Sequence, residues 1–195
     1  LSSSDLRSVD LRSCEALVLA PGVPLTHPAP HWSVELAKAA GVPVVGDVEL
    51  FARAVQALPL KGRPKVVGIT GTNGKSTTTA LVGHILKEAG RDARVGGNIG
   101  TGVLDMDSLH ANAIYVLELS SYQLDLCESL HCDVSVLLNI SPDHLDRHGG
   151  MDGYIAAKKR IFTHQTDKDI AVVGIDDPVT QGIAMGRSRP GQAQV

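Results

Sequence analysis

An α/β fold built on a parallel sheet is predicted by three observations. Short β-branched runs alternate with helix-length patterns along the chain. Two of these runs, residues 113–119 and 134–140, are almost continuously apolar, as strands covered on both faces are. A glycine loop, Gly71-Thr72-Asn73-Gly74-Lys75-Ser76, stands between a strand pattern and a helix pattern, the setting of a phosphate loop. The 195 residues are 43% apolar, 20% charged and 3% aromatic, so the core is expected to be aliphatic.

In chain order, residues 16–20 read as a strand and 33–40 as a helix closed by Gly41. Residues 42–45 read as a strand and 48–57 as a helix. The stretch from Leu58 to Pro64 concentrates two prolines and a glycine, which places a domain boundary near residue 60. Beyond it, strands are expected at 65–70, 94–96, 113–119, 134–140 and 170–173. Helices are expected at 76–89, 121–130, 152–163 and 178–185. On the helix after the loop, Leu81, Ile85, Leu86 and Ala89 are taken as the apolar face. No internal repeat or low-complexity tract stands out.

A net charge of -3 offers no basic surplus for a nucleic-acid or membrane-surface binder. No apolar run approaches the roughly 20 residues of a membrane helix. Three cysteines, Cys14, Cys127 and Cys132, are an odd count that fits reduced cytosolic thiols. His131 lies between the last two, but four zinc ligands at suitable spacing do not follow.

Gly71 and Gly74 allow the backbone to curl around one anion, and the helix N-terminus adds partial positive charge. Lys75 supplies a full charge for β and γ phosphates, and the Ser76 hydroxyl can ligate Mg²⁺. One departure from the common pattern is Ile69, where a glycine usually stands. Glu118, at the carboxyl end of a buried run, needs a metal or a salt-bridge partner. His144, after the next buried run, is either a metal or substrate contact or a surface histidine; His148 is taken as surface. Taking about 100° per residue, Lys158 falls at the centre of a stripe of Tyr154, Ile155, Ile161 and Phe162. Such a lysine either turns neutral and can form a carbamate with CO₂, or reaches the surface or pairs with a carboxylate.

These motifs together resemble the Mur ligase family of peptidoglycan synthesis. The resemblance is carried by Thr70 to Thr77, Gly96-Gly97-Asn98-Ile99-Gly100, Leu117 to Leu124, Asp143-His144-Leu145-Asp146 and Ala157-Lys158. Ala20-Pro21-Gly22-Val23 and Gly46-Asp47-Val48-Glu49-Leu50-Phe51 add to it, and it runs over nearly the whole chain. It implies a cytoplasmic ATP-dependent amide ligase of three domains. Residues 1–60 would be the end of a Rossmann-like UDP-sugar-binding domain, and 61–195 an incomplete central ATP-binding domain of P-loop type. It implies UDP-N-acetylmuramoyl-L-alanine and D-glutamate as substrates, with ATP and two Mg²⁺. The nucleotide would lie on Gly71, Thr72, Asn73, Gly74, Lys75, Ser76 and Thr77. Ser76 and Glu118 would serve one metal, and His144 and a carbamylated Lys158 the other. Lys75, Lys158 and His144 would be the catalytic groups, and Gly22, Asn98 and Gln123 would lie near the UDP-sugar substrate. With the last domain expected beyond Val195, this piece alone is expected not to turn over. Another Mur or folylpolyglutamate-type ligase, or a nucleotide-binding paralogue without catalysis, would carry many of the same motifs.

Overall fold

The computed structural model of the chain describes residues 5–187. Its central sheet uses β3 (Lys65–Thr70), β4 (Asp92–Gly97), β5 (Ala113–Glu118), β6 (Val134–Leu137) and β7 (Ile170–Val173). The strand order is β4-β5-β3-β6-β7, and every pairing is parallel. A separate pair, β1 (Leu17–Val18) with β2 (Val44–Val45), is also parallel and is joined through α1 (Trp32–Ala40). The other helices are α2 (Asp47–Ala57), α3 (Lys75–Glu88), α4 (Ser121–Asp125), α5 (Leu145–His148), α6 (Met151–Lys159) and α7 (Pro178–Arg187). From β3 the chain moves first to β4 and β5 on one side, then to β6 and β7 on the other. Ligands in such sheets gather at the carboxyl ends of strands near this reversal.

The sheet has an apolar layer on each face. One contains Tyr115, Leu117, Leu119, Leu137, Tyr154, Ile161 and Phe162. The other contains Ile69, Val116 and Val136, with Val82, Leu86 and Val95 packed against them. Val48, Phe51 and Ala52 of α2 belong to the first layer, with Phe51 and Tyr115 ring centroids 5.1 Å apart. The composition break near residue 60 is thus a covalent feature, with α2 seated on the sheet that follows it.

Several expected elements differ from those observed. Leu81 and Ile85 of α3 are each 55% exposed. Of the expected face, Leu86 does pack against the sheet, beside Thr79, Val82 and Gly83, and Ala89 is exposed. Gly83 decides this: a Cβ there would lie 2.2 Å from Val95 Cγ2, so the helix approaches β4 through its glycine. The helix expected over 121–130 stops at Asp125, and the strand expected to reach 140 stops at Leu137. The tetrapeptide Asp-Leu-Arg-Ser also occurs twice, at 5–8 and 10–13. In each copy the aspartate accepts from the N–H two residues on and opens a 3₁₀ turn. The repeat had not stood out in the sequence.

Glu49 of α2 is 1% exposed. It accepts from Arg53 Nε at 2.8 Å, from the N–H groups of Glu128 and Ser129, both at 2.8 Å, and from Ser129 Oγ at 2.9 Å. Those two N–H groups would otherwise continue α4, which is why the helix ends early. Burial opposes ionisation of Glu49, but Arg53 and the donors from Ser129 and Glu128 outweigh it and hold the carboxyl at about 2. Cys127 Sγ also points at Glu49, whereas His131 pairs with Asp169, so the two side chains are committed to different partners. Burial, and next the Glu49 charge, push the Cys127 thiol up to about 12.

Replacing Glu49 by Ala is expected to lower the unfolding free energy by about 3 kcal/mol, because Arg53 and three donors lose their acceptor. Since folding lowers this pKa, its stabilisation is full above the unfolded value of 4.5 and is lost as pH falls toward about 2. Denaturant midpoints of wild type and Glu49→Gln should therefore converge as pH drops from 6 into that window.

Candidate active site

The loop between β3 and α3 has no strand or helix of its own to satisfy its main chain. Gly71 takes φ 154° and Gly74 φ 81°, both on the side that glycine adopts freely. A Cβ on Gly71 would also sit 3.0 Å from Leu138 Cβ. Ile69, the departure from the common pattern, is a core residue of β3 facing α3, with no exposed surface. The turn-making glycine therefore sits two positions later, at Gly71.

Neighbouring segments hold the loop. Thr72 N–H donates to Asn139 O at 3.0 Å. Thr72 Oγ1 lies 3.1 Å from Tyr154 OH and accepts from Ser141 N–H at 3.0 Å. Lys75 Nζ folds back to Thr72 O at 2.8 Å. Ser76 and Thr77 open α3 as exposed residues, as Asn73 and Gly74 are just before them.

Lys158 faces inward. It is 1% exposed, lies 4.7 Å from the Tyr154 ring centroid and donates to Gly71 O at 2.8 Å. Burial, and then the charge of Lys75, bring its ammonium down to about 7, with Asp143 opposing. The amine on the phosphate loop therefore exists in both its neutral and charged forms near neutral pH. The salt-bridge alternative for Lys158 has no carboxylate partner among the described residues, and the surface alternative conflicts with its burial.

Glu118 is 1% exposed at the end of β5. Its Oε1 accepts from Asn98 Nδ2 at 2.8 Å, and Asn98 N–H donates to Glu118 O at 2.9 Å. Its Oε2 is buried with no hydrogen-bond partner. A lone carboxylate oxygen left this way is what a bound cation would satisfy, so Glu118 fits a metal role. Among the described residues no three His, Cys, Asp or Glu side chains cluster as a metal site. Any metal here would draw on Ser76, phosphate oxygens or a modified lysine as well.

His144 is half-exposed, at the left-handed position (φ 51°) that opens α5. It lies 3.4 Å from Asp143 Oδ2, with its ring 5.0 Å from that of Tyr122. Gly22 reaches the same region: its carbonyl accepts from Arg147 Nη2 at 3.1 Å. Gln123 is turned inward, its Oε1 accepting from Ser120 N–H at 3.2 Å as half of a capping box on α4.

His148 is the clearest correction. Expected at the surface, it is buried between Nε2···Ser121 Oγ at 2.9 Å and Nδ1···Asp125 Oδ2 at 2.9 Å. Its ring stacks on Tyr122 at 5.5 Å and meets Tyr154 at 5.5 Å. Ser121 is itself buried, so this Ser–His–Asp chain offers no exposed nucleophile; it joins α4 to α5 and supports the tyrosine that touches Thr72. Sequence reasoning missed it, along with Asn139; Tyr154 was expected on the apolar stripe, but not its hydroxyl's contact with Thr72. For His148 the only available signal was three-residue spacing from Leu145 on one helix turn.

The family model for the Mur ligase middle domain matches residues 69–192. A UDP-N-acetylmuramoylalanine–D-glutamate ligase from a Caulobacter species is 65% identical over 94% of this chain and 39% of its own length. The protein of the same name from Phenylobacterium zucineum is 65% identical over 92% of this chain and 38% of its own length. The chain thus spans about two fifths of these curated relatives. Among solved structures, the MurF ligase of Thermotoga maritima in complex with ADP superposes with TM-score 0.53 at 22% identity. That match covers 89% of this chain and 48% of the other, a likeness of fold.

Replacing His148 by Ala leaves Ser121 and Asp125 without their partner and removes a stacked ring. The expected loss is about 2 kcal/mol in unfolding free energy, read from denaturant melts. An unchanged midpoint would show that the buried chain does not hold α4 and α5 together.

Proposed function

The chain belongs to the Mur ligase family through its middle domain, and we propose that its protein uses ATP to join D-glutamate to UDP-N-acetylmuramoyl-L-alanine. The observation that carries this reading is the buried amine of Lys158 held on the carbonyl of Gly71, inside a phosphate loop. The names of the relatives at 65% identity supply the substrates. Residues 1–60 would then be the end of the UDP-sugar-binding domain and 61–195 the central ATP-binding domain. The reaction would be cytoplasmic.

A carboxylate is a poor electrophile at neutral pH, and phosphorylation corrects that. In the proposed sequence a carboxylate oxygen of the UDP-sugar substrate attacks the γ-phosphorus, and the bond to ADP breaks. The amine of D-glutamate then attacks the acyl phosphate carbonyl, phosphate leaves and the amine gives up a proton. Lys75 and the N–H groups from Gly74 into the start of α3 hold the β and γ phosphates, and the start of α3 adds its partial charge, while the Thr72 and Asn73 N–H groups stay with Asn139. Thr72, Asn73 and Gly74 keep the loop in shape, with Ser76 and Thr77 at its helix end.

Ser76 and Glu118 would hold one Mg²⁺, and His144 with a carbamate on Lys158 a second. Bound Mg²⁺ supplies neutralisation of charge on the transferring phosphoryl group. The carbamate forms when the neutral Lys158 amine attacks CO₂ and loses a proton. Its remaining N–H can keep the bond to Gly71 O. Asn98 orients Glu118 and lies near the UDP-sugar substrate, together with Gly22 and Gln123.

With the full-length protein, ADP release should require both D-glutamate and the UDP-sugar substrate. Glu118→Gln and Lys158→Ala should each lower kcat by more than about 100-fold. MgATP binding with no phosphate release from any amino acid tested would sink the ligase reading. Exchange with ¹³C-bicarbonate should give a carbamate resonance that Lys158→Ala abolishes. The 195-residue chain by itself should show no D-glutamate-dependent ADP formation.

A further inference from the structure

The side-chain amide of Asn139 makes a two-point contact with the main chain of the phosphate loop. Its Oδ1 accepts from Asn73 N–H at 2.9 Å, and its Nδ2 donates to Asn73 O at 3.1 Å. One residue's amide thus satisfies both main-chain groups of another, as a paired strand would. The main chain of Asn139 acts in the same sense, since its carbonyl accepts Thr72 N–H at 3.0 Å. Beneath Gly71 the space is closed: a Cβ there would lie 3.4 Å from both Asn139 N and Asn139 O. Residues 71 to 73 therefore rest on Asn139, which stands two positions beyond the end of β6.

We propose that Asn139 is a positioning residue that sets the phosphate loop in its nucleotide-binding shape before the nucleotide arrives. The chemistry restricts the position to asparagine. Aspartate accepts from Asn73 N–H but cannot donate to Asn73 O, and it sets a negative charge beside the phosphates. Glutamine carries an extra methylene and displaces its amide from the loop. Alanine leaves both groups of Asn73 to water, so the loop samples other shapes and part of the binding free energy goes into ordering it. Lys75 depends on the same geometry, because its Nζ is bonded to Thr72 O, the carbonyl of the peptide whose N–H is held by Asn139.

The inference rests on the ATP reading above, and calorimetric titration of full-length protein with MgADP separates the two. Wild type should bind at one site. Asn139→Ala should keep that stoichiometry and raise Kd about tenfold, with little change in melting temperature. Asn139→Asp should bind more weakly than Asn139→Ala. A merely structural role would instead lower the stoichiometry and the melting temperature while leaving Kd alone, and would overturn the proposal. A Kd for Asn139→Ala within twofold of wild type would also overturn it, as would Asn139→Asp binding like wild type. Failure of wild type to bind MgADP would sink the ATP reading and this inference together.

Discussion

In the four-residue loop between β3 and α3, the N–H groups of Thr72 and Asn73 gain nothing from the sheet or the helix around them and need partners from elsewhere. The surrounding structure meets that constraint. Asn139 pairs with the loop at residues 72 and 73, Tyr154 and Ser141 fix the Thr72 hydroxyl, and Lys158 bonds to the carbonyl of Gly71. These partners come from the end of β6 and from α6, well apart in sequence. The parallel register of β3 with β6 brings the first to the loop. The packing of α6 beneath the carboxyl ends brings the second. A shaped loop is thus a product of the whole sheet edge.

The same edge concentrates charge in a dry place. Lys158 lies within the field of Lys75 and out of water, and both effects disfavour its ammonium form. Glu118, two strands from β6, is equally buried with one oxygen unpartnered. A buried amine and a buried carboxylate with one oxygen unpartnered thus lie at the same edge of the sheet as the glycine loop. On the Lys158 side the Tyr154 ring covers the amine, with its centroid 4.7 Å from Nζ.

A second buried carboxylate shows a different solution. Glu49 is satisfied on all sides within the protein, and its donors come from the turn after α4. This ties α2 to the turn after α4, the helix whose Ser121 and Tyr122 meet His148.

The sequence by itself determined the parallel α/β class and the phosphate loop, because these rest on local periodicity and on fixed spacing of glycines. It set Lys158 on an apolar stripe but left open whether its amine reaches the surface, which the tertiary packing decided. It also carried the family, through motifs in order along nearly the whole chain. Tertiary structure decided what local pattern cannot hold. The leucine count on α3 pointed to Leu81 and Ile85, yet contact with β4 runs through Gly83, since the helix can approach Val95 only where no side chain stands. The helix expected to 130 ended at Asp125 because a carboxylate from another helix took its N–H groups. His148 looked like a surface histidine, and is buried because Ser121 and Asp125 from α4 meet both of its nitrogens. In each case the deciding partner lies far along the chain, where no periodicity within one segment can announce it.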